Sequence, residues 1–183
     1  MMTQEELTDK LRIIFGENNV ISEWNVAKHS KDDLTRELYC PRIDIVVGPF
    51  NIDRNLDQNN ALIQRAHEAR RELIEAIKGR SDIRDEEFIP NENPRCLIAI
   101  ELENKTERKH RIGNIVNASA IGRIGIIATN SEVEFGKMVK IRKYLDFLLA
   151  VGKTKYYPQN VMLIRAGDLA DVLNQAIVEK KQN

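Results

Sequence analysis

Arg95-Cys96-Leu97-Ile98-Ala99-Ile100-Glu101-Leu102-Glu103-Asn104-Lys105 is the stretch on which the fold turns. Its first half is a short apolar run following Pro94, and that length and composition predict a strand. Side chains at i, i+2 and i+4 of a strand share one face. Glu101, Glu103 and Lys105 therefore project together, while Ile98, Ile100 and Leu102 face the opposite way. Ionised groups beside a core are costly unless they are paired or bound to a cation. Upstream, Arg42-Ile43-Asp44-Ile45-Val46-Val47-Gly48, bounded by Pro41 and Gly48-Pro49, predicts a second strand, and Asp44 sits inside its apolar run.

Working outward, helical spacing of Leu7, Leu11 and Ile14 predicts a helix over residues 5–15, ended by Gly16. A strand is expected over 20–26 with Trp24 in the core, then a charged loop or short helix over 28–39. Leu62, Ala66, Ala69, Leu73 and Ile77 predict helix over 55–79, and the polar, proline-containing segment 80–94 returns the chain to the sheet. Beyond the quoted stretch follow a helix over 106–120, a strand over 122–129 and a helix to about Val151. Ser131 or Asn130 caps that last helix, and Glu132 and Glu134 occupy its first turn, where the helix dipole favours acids. A strand over 160–165 and an amphipathic helix over 168–180 close the chain. Strands alternating with helices imply an α/β fold, a mixed central sheet flanked by helices and partly parallel in its second half. Residues 1–183 form one domain in this reading, with 51–94 a helical insertion between the two motif strands.

The 183 residues, 42% hydrophobic and 31% charged, suit a soluble globular domain with its own core. Apolar runs such as Ile124–Ala128 are too short to span a bilayer, and the acidic Met1–Glu6 stretch lacks the features of a signal peptide, so no membrane partner is expected. Cys40 and Cys96 form neither a metal-binding spacing nor a disulfide framework, which points to a reducing, cytoplasmic setting. Lys plus Arg and Asp plus Glu both number 28, so any nucleic acid must be met by a local patch rather than by overall charge.

If the two strands pair, Asp44 comes close to Glu101 and Glu103. Carboxylates gathered that closely repel one another, and a hard divalent cation, Mg²⁺ or Mn²⁺, relieves the repulsion. Strand-end salt bridges at the rim of the sheet are the competing explanation. Directly after the strand, Lys105, Arg108, Lys109, His110 and Arg111 form a basic run at the start of a helix, where backbone amides also favour anions, and Asn114 follows one turn on. Phosphate contact is the functional reading of that run; a solvated helix end is the plainer one. Lys137, Lys140, Arg142 and Lys143 form a second basic cluster, read as a solvated face. Aromatic residues are 5% of the chain and none is read among the basic runs, so base-stacking platforms are not expected. Glu5 and Glu6 fit a helix start as well as they fit a ligand role. Gly152-Lys153-Thr154 lacks the earlier glycine of a phosphate-binding loop, and the three histidines show no zinc spacing.

Asp44 followed by Glu103-Asn104-Lys105 resembles the signature of the PD-(D/E)XK nuclease superfamily, with Ile43 in the place of the usual proline. The order of elements, a helix before the first strand and a helix–strand pair after the motif, is also similar to the restriction endonuclease-like core. The resemblance covers roughly residues 3–130. It implies a divalent-metal-dependent nuclease that hydrolyses phosphodiester bonds of DNA, with restriction or defence among the roles such an enzyme serves. Asp44 and Glu103 then bind Mg²⁺ and Lys105 assists the attacking water. A second placement makes Glu101-Leu102-Glu103 the motif, because some members carry an acid at the lysine position. Glu101 is then the ligand, and the small Ala99 two residues earlier fits that placement. The first placement is preferred by a small margin, and all three residues stay in the candidate site. Double-strand cutting implies a homodimer. A catalytically inactive relative, serving as a nucleic-acid-binding or protein-interaction module, is the alternative.

Overall fold

A computed structural model describes residues 1–25, 41–52, 56–83, 88–103, 108–155 and 158–182. The expected loop or short helix over 28–39 lies outside the described residues, as does Lys105. The elements are α1 (Gln4–Phe15), β1 (Val20–Asn25), β2 (Arg42–Phe50), α2 (Leu56–Ala69), α3 (Arg71–Lys78), β3 (Cys96–Glu103), α4 (Arg108–Ile121), β4 (Gly122–Thr129), α5 (Glu132–Ala150), β5 (Val161–Arg165) and α6 (Ala166–Gln182).

The five strands lie side by side in chain order. β1, β2 and β3 run antiparallel to their neighbours, whereas β3, β4 and β5 run parallel. This is the mixed sheet expected from the sequence: β3 and β4, and β4 and β5, are each joined by a crossover helix and pair parallel. Helices cover both faces. Ile45, Val47, Ile98, Ile100, Ile124 and Ile126 pack on one face with Leu7 and Leu11 of α1 and Leu169 and Leu173 of α6. Val46, Ala99, Ile127 and Leu163 pack on the other with Ile115 and Ala118 of α4 and Met138 and Leu145 of α5. Among the described residues no helix is long and apolar enough to cross a membrane.

Three local outcomes refine the expected boundaries. β2 does not stop at Gly48 but continues to Phe50 through a cis Gly48–Pro49 bond, with a shift in its pairing to β3 between Val47 and Phe50. Proline has no N–H to give the ladder, and an irregular step in the pairing is where a strand tolerates it. The helical run over 55–79 is two helices, broken at Arg70 (φ −116°, ψ 18°). The break turns Ile63 of α2 and Ile74 and Ile77 of α3 onto the same apolar face as α1 and α6. The insertion is thereby part of the core, each fully buried isoleucine contributing about 1.5–3 kcal/mol. Ser131, rather than Asn130, caps α5, its hydroxyl accepting from the Glu134 N–H at 3.2 Å.

Close packing of α4 onto the sheet depends on Gly125. A Cβ there would stand 2.8 Å from Val161 Cγ2 and 3.0 Å from the Ala118 carbonyl carbon. At the other end of the sheet the register aligns Glu103 with Thr129 and Thr129 with Arg165, so the carboxyl ends of the three parallel strands finish in one row. That end of a parallel sheet is where α/β proteins commonly bind ligands.

Candidate functional site

Pairing register brings the acids together. Ile45 lies opposite Ile100 in the antiparallel β2–β3 pair, which sets Asp44 opposite Glu101. Directly opposed residues of such a pair share a face with Cβ atoms about 5 Å apart. Ala99 belongs to the α4–α5 face, so by alternation Glu101 and Glu103 point to that face as well. Leu102 packs into the opposite cluster with Ile98 and Ile100.

The pair is linked by its own hydrogen bonds. Asp44 Oδ2 accepts from the Leu102 amide at 2.8 Å, and the Asp44 and Glu101 carboxyls share a hydrogen bond. Glu101 is only 4% exposed, and its Oε1 has no hydrogen-bond partner among the described residues. Burial, and after it the neighbouring Asp44 charge, pushes the Glu101 carboxyl up to about 9. Burial also raises Asp44, against the opposing pull of the Leu102 N–H. At neutral pH Glu101 therefore keeps its proton and donates it to Asp44.

The surroundings complete the geometry. Gln4, the first residue of α1, donates from Nε2 to the Asp44 carbonyl oxygen and to Glu23 Oε1, both at 2.9 Å. Thr3 and Glu6 form a reciprocal capping box, which accounts for Glu6 as a helix-start residue. Glu103 is 1% exposed and accepts from Asn114 Nδ2 of α4 at 3.0 Å. Beside it on β4 stands buried Thr129, whose Oγ1 has no hydrogen-bond partner among the described residues.

Of the basic run, His110 is exposed and Arg111 is buried, its guanidinium on Glu134 of α5 at 2.5 Å. Lys137 holds the same carboxylate at 2.7 Å. The backbones of Arg108 and Lys109 open α4, but their side chains lie outside the described residues. Asn114, grouped from sequence with the nucleic-acid contacts, is placed against Glu103. Gln4, Thr129 and Glu134 were not singled out as site members. Each depends on a contact between elements far apart in the chain, which the spacing of residues within one segment does not reveal.

As they stand, no three His, Cys, Asp or Glu side chains among the described residues converge into a metal cage. The donor set nevertheless has the chemistry a hard cation needs: two directly opposed carboxyls, one with an oxygen lacking a partner, and a third carboxylate two residues along. Comparison with family models, with curated proteins and with solved structures found no match to this chain.

Proposed function

We infer that the chain is a divalent-metal-dependent nuclease that hydrolyses phosphodiester bonds of DNA. The observation that carries this reading is the opposition of half-buried Asp44 and buried Glu101 across β2 and β3, the two carboxyls sharing one hydrogen bond. A buried acid facing a second acid is not a stabilising arrangement, because desolvating it costs more than the mutual hydrogen bond returns. The order helix, strand, strand, insertion, strand, helix, strand also agrees with the resemblance.

Asp44 and Glu101 would hold Mg²⁺ or Mn²⁺, with Glu103 as the third acid. The register supports placing the motif at Glu101-Leu102-Glu103, since Asp44 faces Glu101 and not Glu103. When bound, the cation supplies positive charge to the phosphate and acidifies a water. The chain's own residues do the rest. Leu102 N–H fixes the orientation of Asp44, Asn114 fixes Glu103, and the capped start of α1 closes over the Asp44 backbone through Gln4. Glu103, a buried acid two residues beyond Glu101, stands where the motif usually has lysine. In the sequence, Lys105 and the start of α4 follow Glu103 directly. Cutting both strands would use a two-fold pair of chains.

Isothermal titration with Mn²⁺ and a plasmid cleavage assay test the reading together. Wild type should bind Mn²⁺ and nick plasmid, Asp44→Ala and Glu101→Gln should do neither, and Lys105→Ala should cleave more slowly. Cleavage surviving Asp44→Ala would sink the reading. A second reading, an inactive module with the same fold, draws on the closed hydrogen bonding of Glu103 to Asn114 and of Arg111 to Glu134. It predicts no Mn²⁺ binding by the wild type.

A further inference from the structure

α5 buries one side and leaves a ridge on the other. Met138, Arg142 and Leu145 are buried against the sheet. At 3.6 residues per turn, Val133, Lys137, Lys140, Lys143, Tyr144, Phe147 and, at the helix end, Val151 fall within about a third of the circumference on the opposite side. Tyr144 is 51% and Phe147 58% exposed, and Val133 and Val151 are exposed as well. Among the described aromatic residues these two alone are exposed; Phe15, Trp24, Phe50, Phe88 and Phe135 are buried or half-buried. Lys140 and Lys143 are exposed between and beside them, and Lys153 follows beyond the helix end. The ridge itself carries no acid. Asp146 lies on its flank, and Glu132 is held by Arg165 at 2.5 Å.

This ridge starts at the acidic site. Glu103 is held by Asn114, one turn along α4 from Arg111; Arg111 pairs with Glu134 in the first turn of α5; and Glu134 holds Lys137. The whole of α5, Glu132–Ala150, is about 28 Å long and runs from there away from the site. Flat rings set one turn apart, with ammonium groups around them, match the two features of a single strand, exposed base faces and a phosphate backbone. A second copy fits worse, since two such ridges face to face would oppose lysine with lysine. A partner helix would need a groove, and the surface is convex.

We propose that the outer ridge of α5 is a track for single-stranded nucleic acid leading to the acidic site, with Tyr144 and Phe147 stacking on bases and Lys140 and Lys143 contacting phosphates. The track takes its substrate class from the proposed nuclease function, and its test does not need cleavage. Fluorescence anisotropy with a labelled oligothymidylate of about 16 nucleotides, in EDTA, reads binding alone. Wild type should bind with an affinity that falls as salt rises. Tyr144→Ala and Phe147→Ala should each weaken binding by about fivefold or more. Phe147→Leu, apolar but not flat, should weaken it as well. Lys140→Glu combined with Lys143→Glu should weaken binding and flatten its salt dependence. All these positions are exposed, and thermal melts confirm that the variants fold.

Failure of the wild type to bind the oligonucleotide, or undiminished binding by the ring variants, overturns the track. So does a need for the same rings in binding phosphatidylserine vesicles or in self-association by sedimentation. Binding without cleavage supports the track and sinks only the nuclease reading, whereas cleavage without ring-dependent binding sinks only the track.

Discussion

Glu101→Gln removes a group whose ionisation the folded chain strongly resists. The carboxyl is 4% exposed and is pushed from its ordinary 4.5 to about 9. An acid raised in this way carries no penalty below pH 4.5, where both states hold the proton. Stability is lost as pH rises from there toward 9, because the unfolded chain gains by releasing a proton that the folded chain keeps. Between 4.5 and pH 7 the linkage comes to about 3 kcal/mol against the native state, and at pH 5 to less than about 1 kcal/mol. Glutamine does not ionise, and its amide donates to Asp44 in place of the shared proton. Glu101→Gln should therefore be more stable than wild type by about 3 kcal/mol at pH 7, which for a chain of this size is roughly 6–12 °C in Tm. The gain should nearly vanish at pH 5. Thermal melts in EDTA at pH 5, 6, 7 and 8 measure this directly. A variant no more stable than wild type at pH 7, or a gain of equal size at both ends of the range, would refute the reasoning.

Thr129→Val keeps the shape and removes a buried hydroxyl without a partner among the described residues; it should raise stability by about 1 kcal/mol in urea titrations and, if the hydroxyl serves the site, weaken Mn²⁺ binding. Gly125→Ala pushes a methyl against the Ala118 backbone and Val161, and should cost about 1–3 kcal/mol, read as a lower midpoint with an unchanged m-value. Asp82→Ala leaves buried Arg142 without its ion partner at 3.3 Å and the Leu163 amide without its acceptor at 2.9 Å. Chemical denaturation should show a loss of about 3–5 kcal/mol, and a loss below about 1 kcal/mol would contradict the assigned pair.

Strand and helix order was legible because the chain separates the two periods cleanly. Ile98, Ile100 and Leu102 alternate with Ala99, Glu101 and Glu103, and the two sets do lie on opposite faces of β3. The Asp44–Glu101 opposition was less legible. Alternation gives the face of each residue but not the offset between two strands separated by 51–94, so Glu101 and Glu103 were both admissible partners until the register was known. The break at Arg70 is set by where the sheet needs Ile63 and Ile74, a tertiary demand that overrides a continuous helical pattern. The second basic cluster divides for the same reason. Arg142 turns inward to Asp82, while Lys140 and Lys143 stay outside with Tyr144 and Phe147, aromatics that were not read as part of a basic run.

Placing the insertion between β2 and β3 also governs when the site can exist. Asp44 and Glu101 meet only after the chain has closed a loop containing all of 51–94, an entropic cost of about 3–4 kcal/mol before any pairing is gained. In the folded chain α2 and α3 shorten that loop, with Ile63, Ile74 and Ile77 packed onto the apolar face that β2 and β3 share. Synthesis delivers Asp44 well before Glu101, so a nascent chain passes through a long interval holding half of its acid pair. Assembly of the site is thereby coupled to folding of the segment that separates its two halves.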